Sequence, residues 1–170
     1  RGWIPGPACV ILNFASPRRR TSPYPLPPSA PMFRVTREIE FCYGHRLLDY
    51  DGKCRYLHGH NGLAVIAIEG ASLDQRGMLV DFSDIKRAVS TWIDDNLDHR
   101  MLLRQDDPLV PMFREMGEPL YLLEENPTAE NIAKLIYDES RKLDLPAPIV
   151  EVRLWETPKC YATYWGKATS

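Results

Sequence analysis

From Phe33 to His45 the residues alternate: Phe33, Val35, Ile39, Phe41, Tyr43 and His45 take odd positions, and Arg34, Thr36, Glu38, Glu40 and Gly44 take even ones. A period of two sends successive side chains to opposite faces, which predicts a half-buried strand whose apolar face ends at His45. After the turn-like DYDGK, a second extended stretch covers about residues 58–69. His58, His60, Ala64, Ile66 and Ile68 lie on one of its faces, and Leu63, Val65 and Ala67 on the other. Two apolar faces need two covers: helices on one side, and a neighbouring subunit or a barrel interior on the other.

The spacing then lengthens to three and four. Ile85, Ala88, Val89, Trp92, Ile93 and Leu97 form one stripe, which predicts a helix capped by Asp81 or Ser83. NPTAEN opens a second helix with Thr128 as N-cap and Ile132, Leu135, Ile136 and Leu143 as its buried stripe, ending near Pro146. Residues 104–125 carry Pro108, Pro111, Gly117 and Pro119 and read as an irregular connection. Two strands, about 149–156 and 160–165, joined by the turn TPK, close the chain. The expected order is strand, strand, helix, helix, strand, strand: an α+β domain over residues 32–166, with an antiparallel sheet and two helices on one face.

Composition changes this picture at the N-terminus. Residues 1–31 hold eight of the 15 prolines and the run Arg18-Arg19-Arg20, and the first carboxylate in the chain is Glu38. Such a segment buries little apolar surface and is expected to be a disordered tail, with a targeting segment or translated upstream sequence before Met32 as alternatives. A net charge of −2 gives no basic excess for nucleic acid. No apolar run approaches the length of a membrane span. The four scattered cysteines include no C-x-x-C pair, so reduced thiols and a cytoplasmic protein are expected.

Candidate chemistry gathers in GKCRYLHGHNG, residues 52–62. His58 and His60, two apart on a strand, point to the same side, and His45 ends the neighbouring apolar face. A lone H-x-H more often belongs to packing than to a metal, but a third histidine beside it favours zinc, and three neutral imidazoles leave the open position of a catalytic site. Cys54 is open to three readings: a fourth ligand, a separate thiolate, or a loop cysteine with no role. Asp98 and His99 end the first helix in NLDHRML, where such residues are commonplace. Glu156 shares strand parity with Val150, Val152 and Leu154, so it places a carboxylate at the end of an apolar face unless a bulge reverses it. A partly buried carboxylate needs donors, and a heterocycle with two adjacent N–H groups would supply them.

With FCYGHRL, KCRYLHGHN, LVDFSDIK, LDHRML, NPTAEN and LWET assembled in this order, the chain resembles the 6-pyruvoyl-tetrahydropterin and 6-carboxy-tetrahydropterin synthase family. The resemblance implies a tunnelling fold (T-fold) whose subunits join their sheets into a barrel, here as a homohexamer made of a dimer of trimers. It implies zinc on His45, His58 and His60, Cys54 as the thiolate that moves protons, Asp98 and His99 as its relay, Glu156 as the pterin anchor, and Thr128 beside the pterin. The implied substrate is 7,8-dihydroneopterin triphosphate. The short C-x-x-x-H-G-H spacing resembles the branch that forms 6-carboxytetrahydropterin, the precursor of queuosine, and the alternative is triphosphate elimination to the pyruvoyl product. An alternative of another class is a non-catalytic zinc module closed by Cys54. The chain departs from the family at Tyr43-Gly44, where small residues are common, and Tyr43, sharing parity with His45, is expected to reshape the pocket.

Overall fold

The computed structural model describes residues 32–166; the expectation for the Pro- and Arg-rich segment 1–31 lies outside the described residues. The alternation at the start becomes β1 (Phe33–His45), whose Ile39, Phe41, Tyr43 and His45 are buried while the intervening Glu38, Glu40 and Cys42 are exposed. A short 3-10 turn at Lys53–Arg55 returns the chain into β2 (His58–Gly70). The two strands pair antiparallel along their full length, from Phe33 opposite Gly70 to His45 opposite His58.

The expected first helix is a continuous run of three pieces: α1 (Phe82–Ile85), a π-helical stretch Lys86–Ser90, and α2 (Thr91–Asn96). Of the two caps proposed, Asp81 is the one used, its carboxylate accepting from the Ser83 amide at 2.8 Å. The extra residue accommodated by the π-type turn leaves Ile85, Val89, Ile93 and Leu97 fully buried on one side.

Residues 104–125 are more ordered than the sequence suggested. β3 (Arg100–Arg104), α3 (Val110–Met116) and β4 (Leu120–Leu123) occupy most of the supposed connection. Its prolines and glycine mark helix ends instead of interrupting structure: Pro111 stands in the first turn of α3, and Gly117 ends that helix at φ 73°, in the left-handed region. β3 lies parallel to β1, with Tyr43 opposite Arg100, and β4 lies parallel to β3. The sheet is therefore mixed, in the order β4-β3-β1-β2-β5-β6, and only the ladders among β1, β2, β5 (Ile149–Thr157) and β6 (Cys160–Trp165) are antiparallel as expected. α4 (Ala129–Ser140) begins at Thr128 as expected but stops at Ser140, short of Pro146.

One sheet face carries the core. Ile66, Ile68, Val152 and Leu154 meet Ile85, Val89, Ile93, Ile132 and Ile136 from the helices, all with no accessible surface. On the opposite face Leu63 and Val65 remain half-exposed, and Glu151 is buried among Arg34, Arg153 and the Trp165 indole, which donates to it at 2.9 Å. Among the described residues no helix is long and apolar enough to cross a membrane.

The chain leaving β1 is tied down at once. Arg46 grips the buried Asp107 carboxylate through Nε at 2.7 Å and Nη2 at 2.5 Å, and Asp107 also accepts from the Leu109 amide at 2.8 Å. Burial alone would raise the Asp107 carboxyl, but Arg46 and the Leu109 amide outweigh it and hold it below its ordinary value. Removing one partner of such a pair strands the other, so Asp107→Ala is expected to destabilise the fold by about 3 kcal/mol in urea unfolding at neutral pH. Because the native carboxyl is depressed, its contribution is complete above the unfolded value of about 4 and declines as pH falls through the native value. The difference between wild type and Asp107→Ala should therefore shrink when the unfolding is repeated well below pH 4.

Candidate functional site

The antiparallel register places His45 directly opposite His58, and His60 two residues along the same face of β2. Their ligand-capable atoms all lie within 4.8 Å of one another, the one such group among the described residues. The ring centroids are 4.4, 5.0 and 5.1 Å apart.

The orientation of two of the rings is set by main-chain carbonyls. His45 Nδ1 lies 2.7 Å from the Pro127 oxygen, and His58 Nδ1 lies 2.8 Å from the Tyr56 oxygen. A carbonyl only accepts, so each Nδ1 carries the hydrogen and each Nε2 of the neutral ring presents a lone pair. Those two Nε2 atoms face each other at 3.0 Å. Two lone pairs at that distance repel unless a proton or a cation stands between them, so the three histidines could hold a metal ion. Burial pushes the His45 imidazole below its ordinary pKa, against the upward pull of the Pro127 carbonyl and Glu156, and so favours the neutral ligand form.

Pro127 is aimed by the motif in which it stands. The Asn126 side chain accepts from the Leu48 amide and donates to the Leu48 oxygen, both at 2.8 Å, and Asn131 Nδ2 donates to the Asn126 oxygen at 2.9 Å. Thr128 caps α4 by accepting from the Asn131 amide at 3.3 Å. NPTAEN is thus a staple between the loop after β1 and the start of α4, and it delivers the carbonyl that orients His45. The sequence pattern gives the helix cap and a family motif here, and not this support of His45.

Glu156 stands where the β5/β6 register shifts, between Trp155 and Thr157, yet its carboxylate reaches the histidine side of the sheet. Its Oε1 accepts from the Tyr43 hydroxyl at 2.8 Å and lies 3.9 Å from His45 Nε2. Burial and the neighbouring carboxylate raise the Tyr43 phenol far above its ordinary pKa, so it remains a donor. The parity argument for Glu156 therefore leads to the right side of the sheet although the strand is irregular there.

Three cavities meet at the histidines. His58 and His60 line one of about 650 Å³ with Cys42, His99, Arg100 and Met101. His60 and Glu156 line a second of about 550 Å³ with Trp155 and Thr157. His45 and Glu156 line a third of about 270 Å³ together with Cys54, Thr128 and Cys160. Cys54 is a free thiol, and its sulfur is not among the atoms gathered within 4.8 Å. The structure thus groups Cys54, Thr128 and Glu156 beside His45, and it puts His99 on a different cavity from Cys54. Asp98 accepts from the Cys42 amide and from His99 Nδ1, each at 2.7 Å. Burial pushes the Asp98 carboxyl up, but those two donors prevail and hold it low.

The sequence profile of the 6-pyruvoyl tetrahydropterin synthase family matches residues 34–167. A 6-carboxy-5,6,7,8-tetrahydropterin synthase of Rickettsia conorii is 40% identical over 135 residues, covering 76% of this chain and 98% of that protein. A 6-pyruvoyl tetrahydrobiopterin synthase of Drosophila melanogaster is 30% identical over 149 residues, covering 80% of this chain and 81% of that protein. Among solved structures, an uncharacterized protein of Wolinella succinogenes superposes with a TM-score of 0.72 at 27% identity, covering 81% of this chain and all (100%) of that one. The 6-pyruvoyl tetrahydropterin synthase of Caenorhabditis elegans does so with a TM-score of 0.63 at 26% identity, covering 81% of this chain and 98% of that one. The chain belongs to the 6-pyruvoyl tetrahydropterin synthase family of enzymes.

Proposed function

We propose that the protein is a 6-carboxy-5,6,7,8-tetrahydropterin synthase, which converts 7,8-dihydroneopterin triphosphate and water to 6-carboxytetrahydropterin, acetaldehyde and triphosphate. The observation that carries this reading is the pair of facing Nε2 lone pairs on His45 and His58, with His60, Glu156 and Cys54 around them. The carboxy product is favoured over the pyruvoyl product by the relatives of that name at up to 40% identity, against 30% for the Drosophila protein. The product would serve queuosine formation.

In this reading His45, His58 and His60 hold zinc. Bound zinc supplies Lewis acidity to the hydroxyls of the substrate side chain. The Glu156 carboxylate accepts from the N–H edge of the pterin ring and fixes the side chain against the histidines. The Cys54 thiolate, standing off the ligand cluster in the cavity that Glu156 also lines, takes the proton from the side-chain carbon. Thr128, on the same wall, borders the ring.

Asp98 and His99 form the relay only if they reach that thiol. Within one chain His99 and Cys54 line separate cavities, so the relay acts across a boundary between subunits. The half-exposed Leu63 and Val65 on the open sheet face support the homo-oligomeric barrel this requires. Free thiols at Cys42, Cys54 and Cys160 accord with residence in the cytoplasm.

Incubation of the purified protein with dihydroneopterin triphosphate, followed by mass spectrometry, is expected to yield the 6-carboxy product and acetaldehyde; a 6-pyruvoyl product would move the assignment to the other branch. Cys54→Ala should keep its zinc by elemental analysis and its melting temperature while turnover falls by at least about a hundredfold. Loss of zinc in that variant would make Cys54 a structural ligand and the protein a closed zinc module. His58→Ala should lose zinc and activity together.

A further inference from the structure

Glu156 stands at the end of β5, on a register shift, with three side-chain torsions and no salt bridge to an Arg or Lys among the described residues. Its side-chain hydrogen bond among those residues is the one from Tyr43. The Tyr43 ring, by contrast, has almost no freedom. It is 3% exposed, stacked on Phe41 with centroids 5.3 Å apart and planes at 23°, and it meets His45 and His60 at 5.3 and 5.9 Å. The chain has cleared the remaining side as well: a Cβ at Gly62 would come within 2.9 Å of Tyr43 Cε1. The hydroxyl is therefore held in place by the packing of its ring on the strand that also carries His45.

We propose that Tyr43 is the positioning residue for the substrate-binding carboxylate, its hydroxyl holding Glu156 so that the remaining lone pairs face a ring edge with two adjacent N–H donors. This rests on the reading of Glu156 as the pterin anchor. Each carboxylate oxygen has two lone-pair sites. The phenol occupies one on Oε1, which leaves the other and those of Oε2 for the adjoining cavities that Glu156 lines. A carboxylate already held in place loses no torsional freedom when ligand arrives, so the affinity depends on the hydroxyl although the hydroxyl need not touch the ligand. A merely structural tyrosine would influence stability and not this affinity.

The test uses the zinc-loaded protein and neopterin, an unreactive pterin, as the probe in a fluorescence or calorimetric titration. Tyr43→Phe keeps the ring and removes the hydroxyl. It is expected to weaken neopterin binding about tenfold, and to raise KM for dihydroneopterin triphosphate to a similar degree with a smaller effect on kcat. Zinc content and melting temperature should stay close to wild type. In a Glu156→Ala background the same substitution should produce no further loss, because the carboxylate it positions is gone. Binding by Tyr43→Phe within about twofold of wild type overturns the proposal. So does an equal loss in the Glu156→Ala background, or a Tyr43→Phe protein that loses zinc or its fold. A wild-type protein that binds neopterin but leaves the triphosphate substrate unchanged fails the assigned reaction alone, and the Tyr43 comparison still stands on binding. A wild-type protein that does not bind neopterin overturns both.

Discussion

The register of β1 against β2 is the constraint on which the site depends. The ladder runs without a shift from Phe33 opposite Gly70 to His45 opposite His58, and its end puts two imidazoles face to face. Side chains alternate with a period of two, so a slip by one residue would send His58 and His60 to the far side of the sheet and leave His45 alone. The buried rows prevent it: Ile39 and Phe41 on β1, and Ala64, Ile66 and Ile68 on β2, all belong to the face under the helices. Core burial and the grouping of the three histidines are thus one requirement, since the histidines continue the rows that the core fixes.

Around that frame the polar groups form a chain of supports. Pro127 orients His45, Asn126 and Asn131 orient Pro127, and Thr128 secures the helix that holds Asn131. Arg46, the residue after His45, is held by Asp107 at the head of α3. The His45 end of the hairpin is therefore fastened to two elements distant in sequence, while His58 is oriented locally by the Tyr56 carbonyl. Three of the helix-side anchors, Asn126, Pro127 and Asp107, lie in or beside segments that a sequence reading treats as connection.

That pattern explains how much was legible. β1, β2, the long helical stripe, α4 and the last hairpin were readable because each is an unbroken period of two or of three and four. β3 and β4 were not, because five and four residues respectively are too few to establish a period, and their neighbours Pro108, Pro111 and Gly117 signal irregularity while in fact framing α3. Their parallel pairing with β1 was equally out of reach, since it is decided by tertiary contact between segments far apart. In the site, the three histidines and Glu156 followed from strand parity. The carbonyls that set the imidazole tautomers carry no residue identity and so leave no trace in the sequence. Tyr43 was visible as an unusual bulky neighbour of His45, but its bond to Glu156 required knowing that β5 ends opposite β1 with β2 between them.

The placement of Asp98 and His99 shows a different logic from that of the histidine cluster. His99 has φ 53°, a left-handed conformation that costs a residue other than glycine on the order of 1 kcal/mol. It is held there by two bonds to one residue: the Cys42 oxygen accepts from the His99 amide, and the Cys42 amide donates to the Asp98 carboxylate, each at 2.7 Å. Asp98 also takes the His99 ring nitrogen, so its oxygens serve both the strand and the imidazole. With all of that restraint the ring still has 80% of its side-chain surface exposed. Side chains that fill a core are restrained by burial, whereas this one is restrained by its backbone and displayed. Cys42 lies on the sheet face that the helices leave uncovered, where Leu63 and Val65 are also half-exposed. An imidazole fixed in this way is presented outward from its own chain, as the relay proposed across a subunit boundary requires.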